Sequence, residues 1–203
     1  MKKVAVFGSG NGSNFQAIAE YFQEKDIEFT CISDKAGAFI LKRAEKLGIK
    51  ALHVPFKDTY NYLLKNKFDL VVLAGYMRIF PANVVKLAKI INIHPSLLPS
   101  FKGKGVIEEA YNAGVKVTGV TVHYVNEEVD SGEIIAQIPV FIKNRTTLDK
   151  LETDIHNIEH KLYPLVIDHL LFNKHFDVNI NVIIASEAKQ SQDFAITTPL
   201  QGS

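Results

Sequence analysis

Apolar positions recur along the chain in two rhythms. Short, predominantly apolar runs at residues 4–7, 27–32, 51–54 and 70–74 have the length of strands covered on both faces. Between them apolar residues fall three and four apart, the spacing of one helix face. Phe15, Ile18, Ala19 and Phe22 make one such face; Phe39, Ile40, Ala44 and Leu47 make another, with Gly48 as its stop. Weaker helical stretches cover 58–64 and 83–88, and the apolar run 87–91 reads as the end of a buried strand leading into Asn92. Strands alternating with helices predict βαβ units and a mostly parallel sheet.

The second half changes pattern. A helix over 106–112, ended by Gly114, precedes a strictly alternating stretch at 116–125. A further strand follows at 134–142, so the two form a hairpin around the acidic loop 126–132. From 147 to 172, Leu148, Leu151, Ile155, Ile158, Leu162, Leu165, Val166, His169 and Leu170 mark a long amphipathic helix that Pro164 should kink or interrupt. The expected fold is α/β and Rossmann-like: a mostly parallel open sheet, helices on both faces, and an antiparallel strand pair late in the chain. Residues 1–173 read as one domain. Residues 174–203 read as an atypical, partly disordered tail, with a strand-like stretch at 180–185 and then small polar residues without period.

Composition narrows the class. An apolar share of 47% and a charged share of 22% over 203 residues suit a soluble single domain with a sizeable core. A net charge of +1 gives no global field to draw in nucleic acid or a membrane surface. No apolar run is long enough to span a bilayer. Cys31 stands alone, which excludes an intramolecular disulfide and suits a reducing compartment, so the cytoplasm is the expected location. In its apolar stretch the thiol reads as an inert core residue.

Three stretches carry candidate chemistry. Gly8-Ser9-Gly10-Asn11-Gly12-Ser13-Asn14 joins the first strand to the first helix. Such a loop aims backbone N–H groups and a helix N-terminus at an anion. It matches the dinucleotide fingerprint only in part, because Ser13 stands where a third glycine belongs; Asp34 lies near the place of a ribose-binding acid. A single phosphate fits at least as well, since Ser13 and Asn14 add side-chain donors, and both could instead cap the helix. The second stretch, Gly75-Tyr76-Met77-Arg78-Ile79-Phe80-Pro81, is an apolar loop after a buried strand. It either tucks under a helix or lines a ligand pocket. In the third, Asn92 and His94 point the same way from one strand end, stiffened by Pro95 and Pro99. Taken alone, that pair also fits a turn-capping Asn beside a buried structural His.

Taken together with Leu73-Ala74-Gly75-Tyr76-Met77-Arg78-Ile79, Asn92-Ile93-His94-Pro95-Ser96-Leu97-Leu98-Pro99, Gly119-Val120-Thr121-Val122-His123-Tyr124-Val125, Glu128-Val129-Asp130-Ser131-Gly132, Glu159-His160, Tyr163 and Pro164, the glycine loop makes the chain resemble the phosphoribosylglycinamide formyltransferases, folate-dependent enzymes of purine synthesis. The resemblance implies transfer of a formyl group from 10-formyltetrahydrofolate, a co-substrate, to the amine of 5′-phosphoribosylglycinamide. It implies no metal, small-molecule partners only, and a monomer or homodimer. Carried over by position, Asn92, His94 and Asp130 are the catalytic trio, and Gly12, Ser13 and Asn14 hold the phosphate. Glu159 holds the amino-sugar end, and Met77, Arg78, Ile79, Phe80, Asn92, Asn126, Glu127, Glu128, Val129 and Asp130 shape the folate pocket. The N-terminal half would then bind phosphate, and the C-terminal half of the domain would bind folate and carry the catalysis. Lys57 stands near where relatives carry an Arg by the folate glutamate tail; it keeps the charge but not the planar two-pronged contact.

The residue types suit that chemistry. An amine attacking a formyl carbonyl forms an oxyanion, which Asn92 and a charged His94 can stabilise by donated hydrogen bonds. His94 can also pass the proton lost by the amine, with Asp130 orienting it. Two alternatives stay open. A formyltetrahydrofolate deformylase uses the same trio on water, though that group resembles longer chains and here the first strand opens at Val4. A non-catalytic Rossmann nucleotide-binding module needs only the glycine loop and Asp34. A formyltransferase acting on methionyl-tRNA is disfavoured by the chain length and the near-zero charge.

Overall fold

The computed structural model describes residues 1–173; the expected tail, with its strand-like stretch at 180–185, lies outside the described residues. Strands β1 (Lys2–Phe7), β2 (Ile27–Ser33), β3 (Lys50–His53), β4 (Leu70–Leu73), β5 (Ile90–His94), β6 (Val117–Tyr124) and β7 (Ile134–Phe141) form one sheet. Their order is β3-β2-β1-β4-β5-β6-β7. The first five pair in parallel, while β6 runs antiparallel to both β5 and β7. The expected Rossmann-like sheet and its late antiparallel pair are both present.

Alternation along the strands explains why both faces are covered. In β1, Val4 and Val6 enter one core while Ala5 and Phe7 enter the other, and all four are fully buried. The first core is shared with α1 (Ser13–Tyr21), α2 (Phe39–Lys46), α5 (Val106–Asn112) and α6 (Leu148–Phe172), the second with α3 (Thr59–Lys65) and α4 (Ala82–Val85). Cys31 lies in the first core, and burial pushes its thiol up to about 12, as an inert core residue requires.

Three expectations need correction. On α2, Phe39 is exposed and Leu41 is buried instead; the Phe39 ring lies at the surface under Arg43, whose Cζ is 5.0 Å from its centroid. The apolar run 87–91 is not one strand end. Leu87 closes the turn after α4 by donating its N–H to Val84, and β5 starts only at Ile90, so Asn92 and His94 sit within the strand. Pro164 does not interrupt α6, which runs unbroken for 25 residues. The proline removes one helical N–H, but Leu162, Tyr163, Val166 and Ile167 around it are fully buried, and that packing holds the helix together.

One contact ties this helix to the functional end of the sheet. The Tyr163 hydroxyl shares its hydrogen between the carbonyls of Leu73 (2.9 Å), the last residue of β4, and Ile91 (3.2 Å), in the first half of β5. Its ring is fully buried, and burial raises its phenol well above the ordinary range, so it stays a donor. Tyr163→Phe should therefore lower unfolding stability by about 1–2 kcal/mol, read from the urea midpoint at unchanged slope. An unchanged midpoint would show that this hydroxyl does not help hold α6 on the sheet.

Candidate active site

The chain moves outward from β1 through β2 to β3, then returns to the other side of β1 as β4. Ligands of open α/β sheets settle beyond the carboxyl ends of the strands at such a reversal. The loops after β1 and β4 meet there: Ser9 N–H donates to the Gly75 carbonyl (3.0 Å), and Met77 N–H donates to Ser9 Oγ (2.9 Å). Ser9 Oγ in turn donates to Asp34 at 2.7 Å, and Arg78 Nε donates to the same carboxylate at 2.8 Å. Burial alone would raise the Asp34 carboxyl, but Ser9 and Arg78 outweigh it and hold it below the usual range. Asp34 is thus engaged within the protein rather than presented to a ribose.

The glycine loop lies on α2. Ile40 N–H donates to the Gly10 carbonyl at 3.0 Å, and Arg43 donates to both the carbonyl and the side-chain oxygen of Asn11 at 2.8 Å. Gly12 is the residue before α1, with φ +81°, and a Cβ there would come within 2.5–2.9 Å of Ile40. Only glycine combines that backbone with that approach. Neither Ser13 nor Asn14 caps α1. Asn14 Nδ2 instead reaches across the domain to Glu159 Oε2 on α6, 3.1 Å away, so the expected phosphate and amino-sugar residues are brought together. Glu159 is buried.

At the end of β5 the expected trio meets. Register places Asn92 opposite His123 and His94 opposite Thr121. His94 Nε2 is 2.7 Å from the Phe101 carbonyl; a carbonyl only accepts, so Nε2 carries the hydrogen and Nδ1 is left facing Asp130 Oδ2 at 3.4 Å. Phe101 is held in turn: Ser96 Oγ donates to the carbonyls of Ser100 (2.6 Å) and Phe101 (3.0 Å), and Thr121 Oγ1 donates to the Ser96 carbonyl at 2.7 Å. His123 repeats the arrangement in reverse. Its Nδ1–H donates to the Tyr124 carbonyl (2.8 Å), which leaves Nε2 at 3.3 Å from Asn92 Nδ2 and 3.6 Å from Asp130 Oδ1. Asp130 therefore lies between two imidazoles. His123 stands in one of the motifs that carry the resemblance but gains a role only from its register opposite Asn92, which strand pairing reveals.

The acidic turn folds back because of one glycine. A Cβ on Gly132 would fall 1.7 Å from the Tyr124 carbonyl oxygen, so only glycine lets the chain lie against the end of β6. Asp130 itself adopts φ +49°, and its carboxylate also accepts the Gly103 N–H at 2.9 Å. Burial alone would raise this carboxyl. The His123 contact, the Gly103 N–H and the charges available on His94 and His123 outweigh it and hold it below the usual carboxylate range.

The residues expected around folate divide. Met77 and Ile79 are exposed by 50% and 65%, and Val129 by 42%, apolar side chains left at the surface on the loop after β4 and on the acidic turn. Phe80 is different: it is 2% exposed and packs its ring against Phe7 and Tyr76, so its side chain belongs to the core. Arg78 spends its Nε on Asp34. Asn126 accepts the Glu128 N–H and so shapes the turn, while Glu127 pairs with Lys86 at 3.2 Å on the surface. Lys57 is exposed on a 3-10 turn, Phe56–Asp58; its neighbour Phe56 lies under Arg78, which sets that turn beside the 77–80 loop. Among the described residues no group of three or more His, Cys, Asp or Glu is arranged to hold a metal ion, and no helix is long and apolar enough to cross a membrane.

Comparison with known proteins places the fold in a family. The chain is 43% identical over 186 residues to the phosphoribosylglycinamide formyltransferase of Bacillus subtilis, covering 84% of this chain and 95% of that protein. The crystal structure of phosphoribosylglycinamide formyltransferase from Streptococcus pneumoniae is 42% identical with a TM-score of 0.77, over 84% of this chain and 99% of that one. The structure of glycinamide ribonucleotide transformylase 1 from Geobacillus kaustophilus is 41% identical with a TM-score of 0.79, over 84% and 99%. The sequence model of the formyl transferase family matches residues 2–167, from β1 to the last turns of α6, and the chain belongs to that family.

Proposed function

We propose that this protein transfers a formyl group from 10-formyltetrahydrofolate to the amine of 5′-phosphoribosylglycinamide, a step of purine synthesis carried out on small molecules in the cytoplasm. The observation that carries the reading is the approach of Asp130 Oδ2 to within 3.4 Å of His94 Nδ1, beside Asn92, at the carboxyl end of the sheet. In this reading the phosphate rests on Gly12, Ser13 and Asn14 at the N-terminus of α1, where N–H groups without helical partners favour an anion. Glu159, tied to Asn14, accepts from the amino-sugar portion. Met77, Ile79 and Val129 give the folate its apolar rim, and Lys57 and the free end of Arg78 offer charge to its acidic tail.

The chemistry follows from what each side chain still offers. The amine attacks the formyl carbon, and the carbonyl oxygen gains negative charge. Asn92 uses one amide hydrogen towards His123 and has a second for that oxygen. A preorganised donor of this kind is worth about 3–4 kcal/mol in a site shielded from water. His94 holds one hydrogen on Phe101 and keeps Nδ1 for the moving proton, with Asp130 beside it. The proton leaves the amine and must reach the folate nitrogen as the C–N bond to the formyl group breaks. Binding the phosphate at a distance fixes the amine in place, which supplies part of the rate through orientation.

Asp130→Asn removes the negative charge beside Nδ1 at nearly constant shape. It should slow turnover by on the order of a hundredfold or more while Michaelis constants change far less. His94→Asn should do the same, and the double variant should fall well short of the product of the two effects. Near-normal turnover of Asp130→Asn with raised Michaelis constants would make Asp130 a binding-loop residue and end the trio.

The phosphate loop has its own test. Gly12→Val forces a β-branched residue into a left-handed backbone against Ile40, a strain of about 1–3 kcal/mol. Affinity for the phosphorylated substrate should drop on the order of tenfold or more, with folate affinity much less affected. Equal loss of both ligands would show that the loop serves only the fold.

A further inference from the structure

Glu159 has a second partner that the reading above does not use. His156, one turn earlier on α6, has Nδ1 2.8 Å from Glu159 Oε2, the same oxygen that accepts from Asn14 at 3.1 Å. The carboxylate is 5% exposed and the imidazole 51%. One oxygen of a buried carboxylate thus takes two donors, from two helices, and neither donor occupies Oε1. We propose that His156 is a positioning residue for the phosphorylated substrate: by holding Oε2 it fixes the carboxylate plane and reserves Oε1 for donors on the amino-sugar portion. The role rests on the substrate assignment made above.

The arrangement also makes substrate binding respond to pH. Hydrogen bonding to Glu159 raises the His156 imidazole above its ordinary value; burial opposes this, and the charges of Glu159 and Glu152 add to it. The nearest other titratable ring is His160, stacked at 6.5 Å; burial lowers it, and Glu20 of α1 and Arg43 of α2 act on it in opposite directions. While the ring is charged, its bond to Oε2 is charge-assisted and strong. As pH rises through the raised pKa the charge is lost, the bond weakens to that of a neutral N–H, and the carboxylate is held less firmly. The Michaelis constant of the phosphorylated substrate should therefore climb on the alkaline side.

His156→Gln keeps an N–H donor but cannot titrate, and the half-exposed position poses no threat to folding. With the full chain, the Michaelis constant for 5′-phosphoribosylglycinamide should rise about three- to tenfold from pH 6 to 9 in the parent protein. In His156→Gln that rise should be absent, apart from titration of the substrate itself, which both proteins share. The Michaelis constant for folate should show no such difference. Independently of turnover, nuclear magnetic resonance titration of the His156 ring should give a midpoint above that of free histidine, and Glu159→Gln should bring it down. Transfer that persists with the same pH profile of that Michaelis constant in parent and variant, or a His156 midpoint indifferent to Glu159→Gln, would overturn this role alone. Absence of any transfer to the glycinamide would remove the substrate assignment and the role with it.

Discussion

The site depends on a carboxylate held between two imidazoles. Asp130 belongs to an acidic turn that solvent would otherwise claim, and it is brought against His94 and His123 by backbone geometry rather than by its own attraction for them. The close pass of Gly132 over Tyr124, the left-handed conformation at Asp130 and the Gly103 N–H fix its place before any charge is counted. Each imidazole commits its other nitrogen to a carbonyl, of Phe101 or Tyr124. Nδ1 of His94 is therefore left for Asp130 and for chemistry, while Nε2 of His123 faces both the Asn92 amide and Asp130. The polar network beneath, Ser96 with Thr121, holds the Phe101 carbonyl still. Preorganisation of this kind is what lets a few groups act strongly in a buried site.

A second constraint couples the two halves of the site. Asn14 lies on α1 and Glu159 on α6, 145 residues apart in sequence, yet they share a hydrogen bond, so the docking of α6 decides the shape of the proposed phosphate end. Tyr163, one turn beyond Glu159, anchors the same helix to the last residue of β4 and to Ile91 of β5. The helix that carries Glu159 is thereby registered against the strand that carries Asn92 and His94. Fold and site are built from the same contacts.

Much of this is legible in the residue order, and for physical reasons. β4 and the buried part of β1, residues 4–7, are apolar throughout because a parallel sheet is covered on both faces, and Asn92 and His94 share a direction because strand side chains alternate. The glycine loop announces itself because a left-handed backbone packed on Ile40 admits nothing else at Gly12. What the sequence hides is whatever pairing decides. His123 looks like any residue of an alternating strand until register sets it opposite Asn92. Phe80 looks like a loop aromatic until it closes on Phe7 and Tyr76. Pro164 reads as a kink or an interruption, and the helix continues through it because buried side chains hold it on both sides. His156 falls on the polar side of its helix pattern, and only its 2.8 Å contact with Glu159 gives it meaning.

The same trio could deliver a formyl group to water or to an amine, and in the proposed function the phosphate end of the site is what directs it to the amine. The most direct test follows both products at once with purified protein, 10-formyltetrahydrofolate and 5′-phosphoribosylglycinamide: release of tetrahydrofolate against appearance of the formylated amine. The account predicts equal amounts of the two, and little tetrahydrofolate when the glycinamide is left out. Steady release of tetrahydrofolate and formate without the glycinamide, unchanged by adding it, would contradict the account.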